Sequence, residues 1–237
     1  MPGIQGSVGP ENLLLGRLPV EAYGLLSPSL ERVRLTQGRV LHEPLRDITY
    51  IYFPEDAVIS LMSVTQHGES IEVGMISCEG IVGVSAILGA MSTPFRAIVQ
   101  APGTAMRAPA DRFGVLFNGS PSLQAIIHRY LHGRLIQLSQ SAVCNRFHTI
   151  EQRLARWLLD SQDRIHRAIF PYTQEFLSDM LGTDRSSVSL ALGLLKRAGL
   201  IGSTRAQVSI VDRNGLEDIT CECYQIVKAE FELFECS

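Results

Sequence analysis

The sequence predicts an α+β chain with an N-terminal β-barrel of the jelly-roll, or double-stranded β-helix, type. A long dimerisation helix and a C-terminal winged helix-turn-helix follow it. Three observations predict this order. Short runs rich in Val, Ile, Tyr and Phe recur between Val33 and Ala108, separated by turn formers. From Ser122 to Asn145 the chain has no proline and the single glycine Gly133, and apolar residues recur at helical spacing. Between Thr173 and Ile201 two capped amphipathic segments are joined by a tight glycine turn. The expected divisions are 1–120, 121–147 and 148–237.

In the first division, residues 1–10 hold three glycines and two prolines and read as a loose arm. Asn12 to Leu26 reads as one or two short helices. Strands are expected over Val33–Leu41, broken by a hairpin-like turn at Gln37-Gly38, and over Ile48–Phe53, Ala57–Val64, Ile71–Ile76, Phe95–Gln100 and Thr104–Ala108. His67-Gly68 and Pro102-Gly103 are among the turns between them.

In the second division, Leu123, Ile127, Leu131, Leu135, Leu138 and Ala142 form an apolar stripe, and Arg129, Arg134, Gln137 and Gln140 lie on the polar face. The stripe from Ile127 to Ala142 either zips against a second copy of the chain or packs within its own domain. The first is preferred, because no other long helix is expected to cover it. A further helix runs from Thr149 to about Ile165. Ile150, Leu154, Trp157 and Leu158 lie on one side, with Arg153, Arg156 and Asp160 on the other.

The third division carries the most information. Thr173 is a good N-cap, Glu175 suits the first turn, and Gly182 supplies a helix-ending residue able to take positive φ. Asp184 caps a second helix whose buried stripe is Val188, Leu192 and Leu195. In a helix-turn-helix the second helix enters the major groove with its N-terminal residues at base edges. Here those residues are Arg185, Ser186 and Ser189. Arg185 has the fork to pair bidentately with guanine. Thr173, Thr183, Ser187 and the helix-start N–H groups suit phosphate oxygens. Lys196, Arg197 and Arg205 add backbone charge, Arg205 near the tip of a hairpin over Ala206–Val211. The acidic tail Leu216–Phe234 is helical by periodicity.

Charge and composition agree with this division of labour. The 237 residues are 46% apolar, enough for a substantial core, and carry a net charge of −3. The region His128–Arg213 holds 12 Lys/Arg against 7 Asp/Glu, and the remainder 9 against 17, so an anion-facing segment sits in an acidic chain. No run of ~18 apolar residues predicts a membrane span, and no basic-then-apolar start predicts a secretory signal, which favours the cytoplasm. The cysteines are Cys78, Cys144, Cys221, Cys223 and Cys236, an odd number expected as reduced thiols. Cys221-x-Cys223 has no ligand pair near it in sequence, so no metal site is expected. His128 and His132 are spaced i, i+4 but lack a third ligand.

Thr173–Ile201, the wing, the Glu151–Leu159 helix and the N-terminal strands resemble the Crp/Fnr superfamily of transcription regulators over roughly residues 12–215. That resemblance implies a cyclic-nucleotide-binding-type barrel, a dimer helix and a winged helix. It departs at Ser186, where many members have Glu, and at Leu190, where another base-contacting Arg is frequent. The operator is therefore expected to differ from the commonest one.

For the sensor, the resemblance places Gly83, Val84, Arg96 and Ala97 in the effector pocket. Cyclic-nucleotide binders there have Glu for the ribose hydroxyl where this chain has Val84, and a hydroxyl residue where it has Ala97. An unpaired buried ribose hydroxyl costs ~1–3 kcal/mol, so cyclic AMP is not the expected ligand. Arg96 either binds another anion or pairs with a carboxylate such as Glu79. No cysteine precedes Cys78, which excludes the family's N-terminal iron–sulfur cluster, and His42, His67 and Cys78 are poor haem ligands. No cofactor is expected, and whether an unidentified small effector exists is open.

No nucleophile elbow, P-loop or H-E-x-x-H is present, so the chain is not expected to be an enzyme. The expectation is a homodimeric regulator that binds a near-palindromic site in double-stranded DNA and works with RNA polymerase. The alternative is a ligand-binding sensor acting through protein contacts instead of DNA.

Overall fold

The structure is a computed structural model that describes residues 11–235, with side chains through Phe231. The expected arm 1–10 and Cys236 lie outside the described residues. Two short helices come first, α1 (Leu13–Gly16) and α2 (Val20–Leu26). Asn12 caps α1: its side-chain oxygen accepts from the N–H groups of Leu14 and Leu15. Its amide nitrogen donates to the carbonyls of Pro54 and Gly80 at 2.8 and 2.9 Å. This buried amide is fully partnered, which is what allows it to be buried.

Seven strands follow: β1 (Glu31–Leu35), β2 (Val40–His42), β3 (Tyr50–Pro54), β4 (Val58–Val64), β5 (Ser70–Ile76), β6 (Arg96–Ala101) and β7 (Gly103–Pro109). They form two antiparallel sheets, ordered β1-β7-β3 and β2-β6-β4-β5. The sheets pack face to face around Leu35, Tyr52, Ile59, Ile76, Val99 and Ala105. The jelly-roll expectation holds, although the sheets do not close into a barrel. The expected hairpin at Gln37-Gly38 is corrected. Gly38 does turn the chain at φ +78°, but β1 pairs with β7 and β2 with β6, so the turn is a corner between sheets.

Strand β4 is buried on both faces. Ile59 points between the sheets, while Val58 and Met62 point outward into the core of the C-terminal domain. That outer face of the four-stranded sheet is the floor on which the rest of the molecule sits.

Helix α3 (Ala110–Gly119) leads into α4 (Pro121–Phe147), which is roughly 40 Å long at the standard rise. The predicted stripe on α4 divides. Leu123 and Ile127 are core residues, Leu131 is half-buried, and Leu135, Leu138 and Ala142 are exposed. The first half is covered by the sheets and by the C-terminal helix; in the second half Gln137 and Cys144 stay buried while Leu135, Leu138 and Ala142 lie exposed. The polar face is likewise corrected. Arg134 and Gln137 are buried, with Arg134 donating to the Met75 carbonyl at 3.1 Å and to Gln137 Oε1. Gly74 makes room, since a Cβ there would lie 2.7 Å from the Arg134 guanidinium.

The C-terminal domain contains α5 (Ile150–Ile165), β8 (Ile169–Phe170), α6 (Gln174–Leu181), α7 (Arg185–Arg197), β9 (Ile201–Ser203), β10 (Val208–Ile210), α8 (Arg213–Ile219) and α9 (Cys223–Glu235). A capping box of Thr149 and Gln152 starts α5. The side of α5 expected to carry Arg153, Arg156 and Asp160 is not a solvent face. Arg153 is buried and donates to the Leu181 carbonyl at the end of α6, where a cation complements the helix dipole. Asp160 lies 3.6 Å from Arg164, itself joined at 3.1 Å to Glu79 in the turn after β5. The tail forms two helices broken at Thr220–Glu222, and α9 returns to pack on α4, with Phe231 lying over Gly133. A long helix therefore does cover part of α4. Among the described residues no helix is long and apolar enough to cross a membrane.

Candidate nucleic-acid interface and sensor cavity

The helix-turn-helix is built from local chemistry. Thr173 Oγ1 accepts from the Phe176 N–H at 3.1 Å, and Gly182 ends α6 at φ +57°. Asp184 starts α7, accepting from the Ser187 N–H at 2.9 Å. It also accepts the hydroxyls of Ser186 and Ser187, the latter at 2.7 Å, and these bonds hold its carboxyl well below the usual range. Val188, Ala191, Leu192 and Leu195 are buried beneath, packed on α5 and α6.

The opposite face of α7 is free. Arg185, Ser186, Ser189 and Leu190 are exposed at its start. Arg185 makes no hydrogen bond or ion pair among the described residues. The hydroxyl protons of Ser186 and Ser187 are engaged by Asp184, so these serines offer lone pairs, not free donors. Thr183 is half-buried and its N–H donates to the Ser178 carbonyl at 3.1 Å. The wing is the β9–β10 hairpin, extended by β8 in the order β8-β10-β9. Arg205 is exposed at its tip, and Lys196 donates to the Ser203 carbonyl at 3.1 Å, tying α7 to the wing.

The turn of this motif rests on the four-stranded sheet. Gly182 packs against Ile71 of β5 so closely that a Cβ would come within 2.6 Å of it. Thr183 and Asp184 share a cleft with Ser63, Thr65 and Glu69 of the β4–β5 hairpin. Beneath lies a buried polar network. Glu72 of β5 accepts from Trp157 Nε1 at 3.0 Å and lies 2.6 Å from Ser60 Oγ. Gln100 lies 2.7 Å from the same hydroxyl and donates to Tyr172 at 2.8 Å. Burial raises the Glu72 carboxyl to about 7, against the hydrogen bonds from Ser60 and Trp157 and the charge of Arg164. Sequence reading missed this group, because Glu72 sits in an alternating strand where a carboxylate reads as solvent-facing.

The sensor sheets enclose a cavity of about 160 Å3 that Gly83, Val84 and Ala97 line together with Ile48, Ile76 and Phe95. Its polar groups are His42, Ser85, Thr93, Tyr130 and Arg134, and Leu131, Leu135 and Leu138 of α4 form one wall. His42 Nε2 donates to the Tyr50 carbonyl at 2.9 Å, and burial lowers its pKa. Arg96 does not join the other three expected pocket residues. Adjacent strand residues point to opposite faces, so Ala97 faces in and Arg96 faces out. Arg96 pairs with Glu43 at 3.0 Å, not with Glu79.

Two sheets, a long helix and a winged helix-turn-helix together make up the fold of the described residues. Residues 152–219 match the family model of the Crp-like helix-turn-helix domain. No curated protein sequence matches the chain significantly. Solved structures do share its fold. A protein described as a transcriptional regulator of the Crp/Fnr family from Eubacterium rectale superposes with a TM-score of 0.72 at 16% identity, covering 87% of this chain and 96% of that one. FixK2 from Bradyrhizobium japonicum gives 0.69 at 14% identity, over 81% and 98%. CLP from Xanthomonas campestris, described as a c-di-GMP responsive global regulator, gives 0.68 at 15% identity, over 81% and 99%. The resemblance to the Crp/Fnr superfamily is thus borne out, in the sequence of the C-terminal domain and in the fold of the chain.

Proposed function

We propose that the chain is a sequence-specific, DNA-binding transcription regulator that acts as a homodimer on a near-palindromic operator. The observation that carries this reading is the exposed start of α7 beside the wing, with Arg185 unpartnered. Arg185 reads guanine, Leu190 meets a thymine methyl, and Thr173, Lys196 and Arg205 hold phosphates. Residues 1–120 sense, 121–147 dimerise and 148–237 bind DNA, in the cytoplasm and with RNA polymerase as partner. A twin subunit covers Leu135, Leu138 and Ala142, and its recognition helix lies about one helical turn away. The sensor cavity, apolar and without Arg96, suits a small apolar effector better than a cyclic nucleotide.

Phosphates approaching the α6–α7 turn from the sheet side would meet Glu69 and the β4–β5 hairpin, so release of the winged domain from the sheet would favour DNA binding. Duplex binding should weaken steeply as salt rises, because phosphate contacts release counterions. Arg185→Ala should cost ~1–3 kcal/mol in operator affinity and relax one base position in a randomised-site selection. Failure to bind any duplex at low ionic strength, or an unchanged base preference, would overturn the reading. Exposed Leu190 and Leu194 favour a second reading, docking on a protein, which salt-independent binding of a protein partner would reveal.

A further inference from the structure

Four ligand-type side chains from opposite ends of the C-terminal domain meet at the joint between α4 and α5. Cys144 lies in the last turn of α4, His148 caps that helix, and Cys221 and Cys223 stand where the chain enters α9. Their three sulfurs and one imidazole nitrogen all lie within 4.8 Å of one another. Cys144 Sγ is 3.6 Å from Cys221 Sγ, and Cys223 Sγ is 3.6 Å from His148 Nδ1. Tetrahedral zinc, with Zn–S of about 2.3 Å and Zn–N of about 2.0 Å, sets its sulfurs about 3.8 Å apart and sulfur from nitrogen by about 3.5 Å. The two closest spacings lie near these values, and the remaining ones fall within 4.8 Å.

Two neighbours support the same reading. His148 Nε2 lies 3.3 Å from a Glu222 carboxylate oxygen, leaving Nδ1 toward the sulfurs, which is the carboxylate–histidine–metal arrangement. Arg156 has a buried Nε without a hydrogen-bond partner and feels the charge of all three sulfurs. A zinc ion with three thiolates carries one net negative charge, which this guanidinium offsets. The three cysteines are buried in a cluster of their own, cut off from the main cores.

We propose that Cys144, His148, Cys221 and Cys223 form a closed site for one zinc ion, which fastens the start of α9 to the joint between the long helix and the winged domain. Three soft thiolates and an imidazole select zinc over hard cations, and four protein ligands leave no open position for catalysis. On binding, the thiols release their protons to solvent and each sulfur donates a lone pair to the metal. The site is independent of whether the chain binds DNA.

The full chain, purified without chelator, should contain about one zinc per chain by elemental analysis. The Cys221→Ser/Cys223→Ser variant should lose it, and Cys78→Ser should keep it. Chelator-stripped chain titrated with cobalt(II) should develop thiolate-to-metal charge-transfer and tetrahedral d–d bands. Glu222→Gln keeps every ligand and should weaken zinc binding roughly 10–100-fold in competition with a chromogenic chelator. That variant keeps the test valid should the double serine variant fail to fold. Stripped protein that binds neither metal would overturn the proposal, as would iron with acid-labile sulfide on these cysteines.

Discussion

Replacing Glu72 with glutamine should lock the winged domain onto the sensor sheet and remove most of the pH dependence of its release. Glu72 is half-buried between β4, β5 and α5, facing Ser60, Trp157, Asp160 and Arg164. Burial pushes its carboxyl up to about 7 when docked, from an ordinary value of 4.5. A group whose pKa is raised by burial holds its proton more tightly docked than released. Docking is therefore strongest below the released value and weakens as pH rises through the docked value. The span of about 2.5 units, at 1.36 kcal/mol each, amounts to about 3 kcal/mol lost between roughly pH 4.5 and pH 8. Glutamine keeps a donor for Ser60 and an acceptor for Trp157 but has no charge to bury. Trp157 is the single tryptophan, so its emission reports docking directly. Wild type should shift to the red as pH rises through 7, and Glu72→Gln should hold a blue, nearly flat profile with weaker DNA binding at high pH. An identical pH profile in the two proteins would refute the argument, because another carboxyl such as Asp160 would then set the response.

Other perturbations probe the same frame. Leu135→Glu puts a charge in the exposed half of the α4 stripe and should give monomers by light scattering, with operator affinity falling in step. Gly182→Ala combines a positive-φ cost of about 1 kcal/mol with a clash against Ile71. A thermal-melt cycle with Ile71→Ala should recover the clash and leave the backbone cost, and no recovery would show that the turn does not rest on β5.

Much of this molecule is legible locally. Strands from β1 to β7 were marked by β-branched runs between turn formers. The helix-turn-helix was marked by Thr173, Gly182 and Asp184, whose caps act on backbone groups within three residues of themselves. Such signals need no tertiary context, so the sequence by itself determined the order of elements, the start of the recognition helix and the outward face that carries Arg185. Partnerships across the fold left no such trace. The sequence placed Arg134 and Gln137 on a polar face and Arg153 opposite the apolar side of its helix, whereas sheet and helix neighbours bury each of them. It showed Cys221 and Cys223 without a ligand nearby, because Cys144 and His148 lie more than seventy residues earlier. Only the tertiary structure decided that the outer face of the four-stranded sheet is a floor for the winged domain. The physical reason is that burial is a property of what arrives on a surface. Glu72 becomes a raised, titrating carboxyl only because Trp157 and Ser60 close over it, and no periodicity within its own strand carries that information.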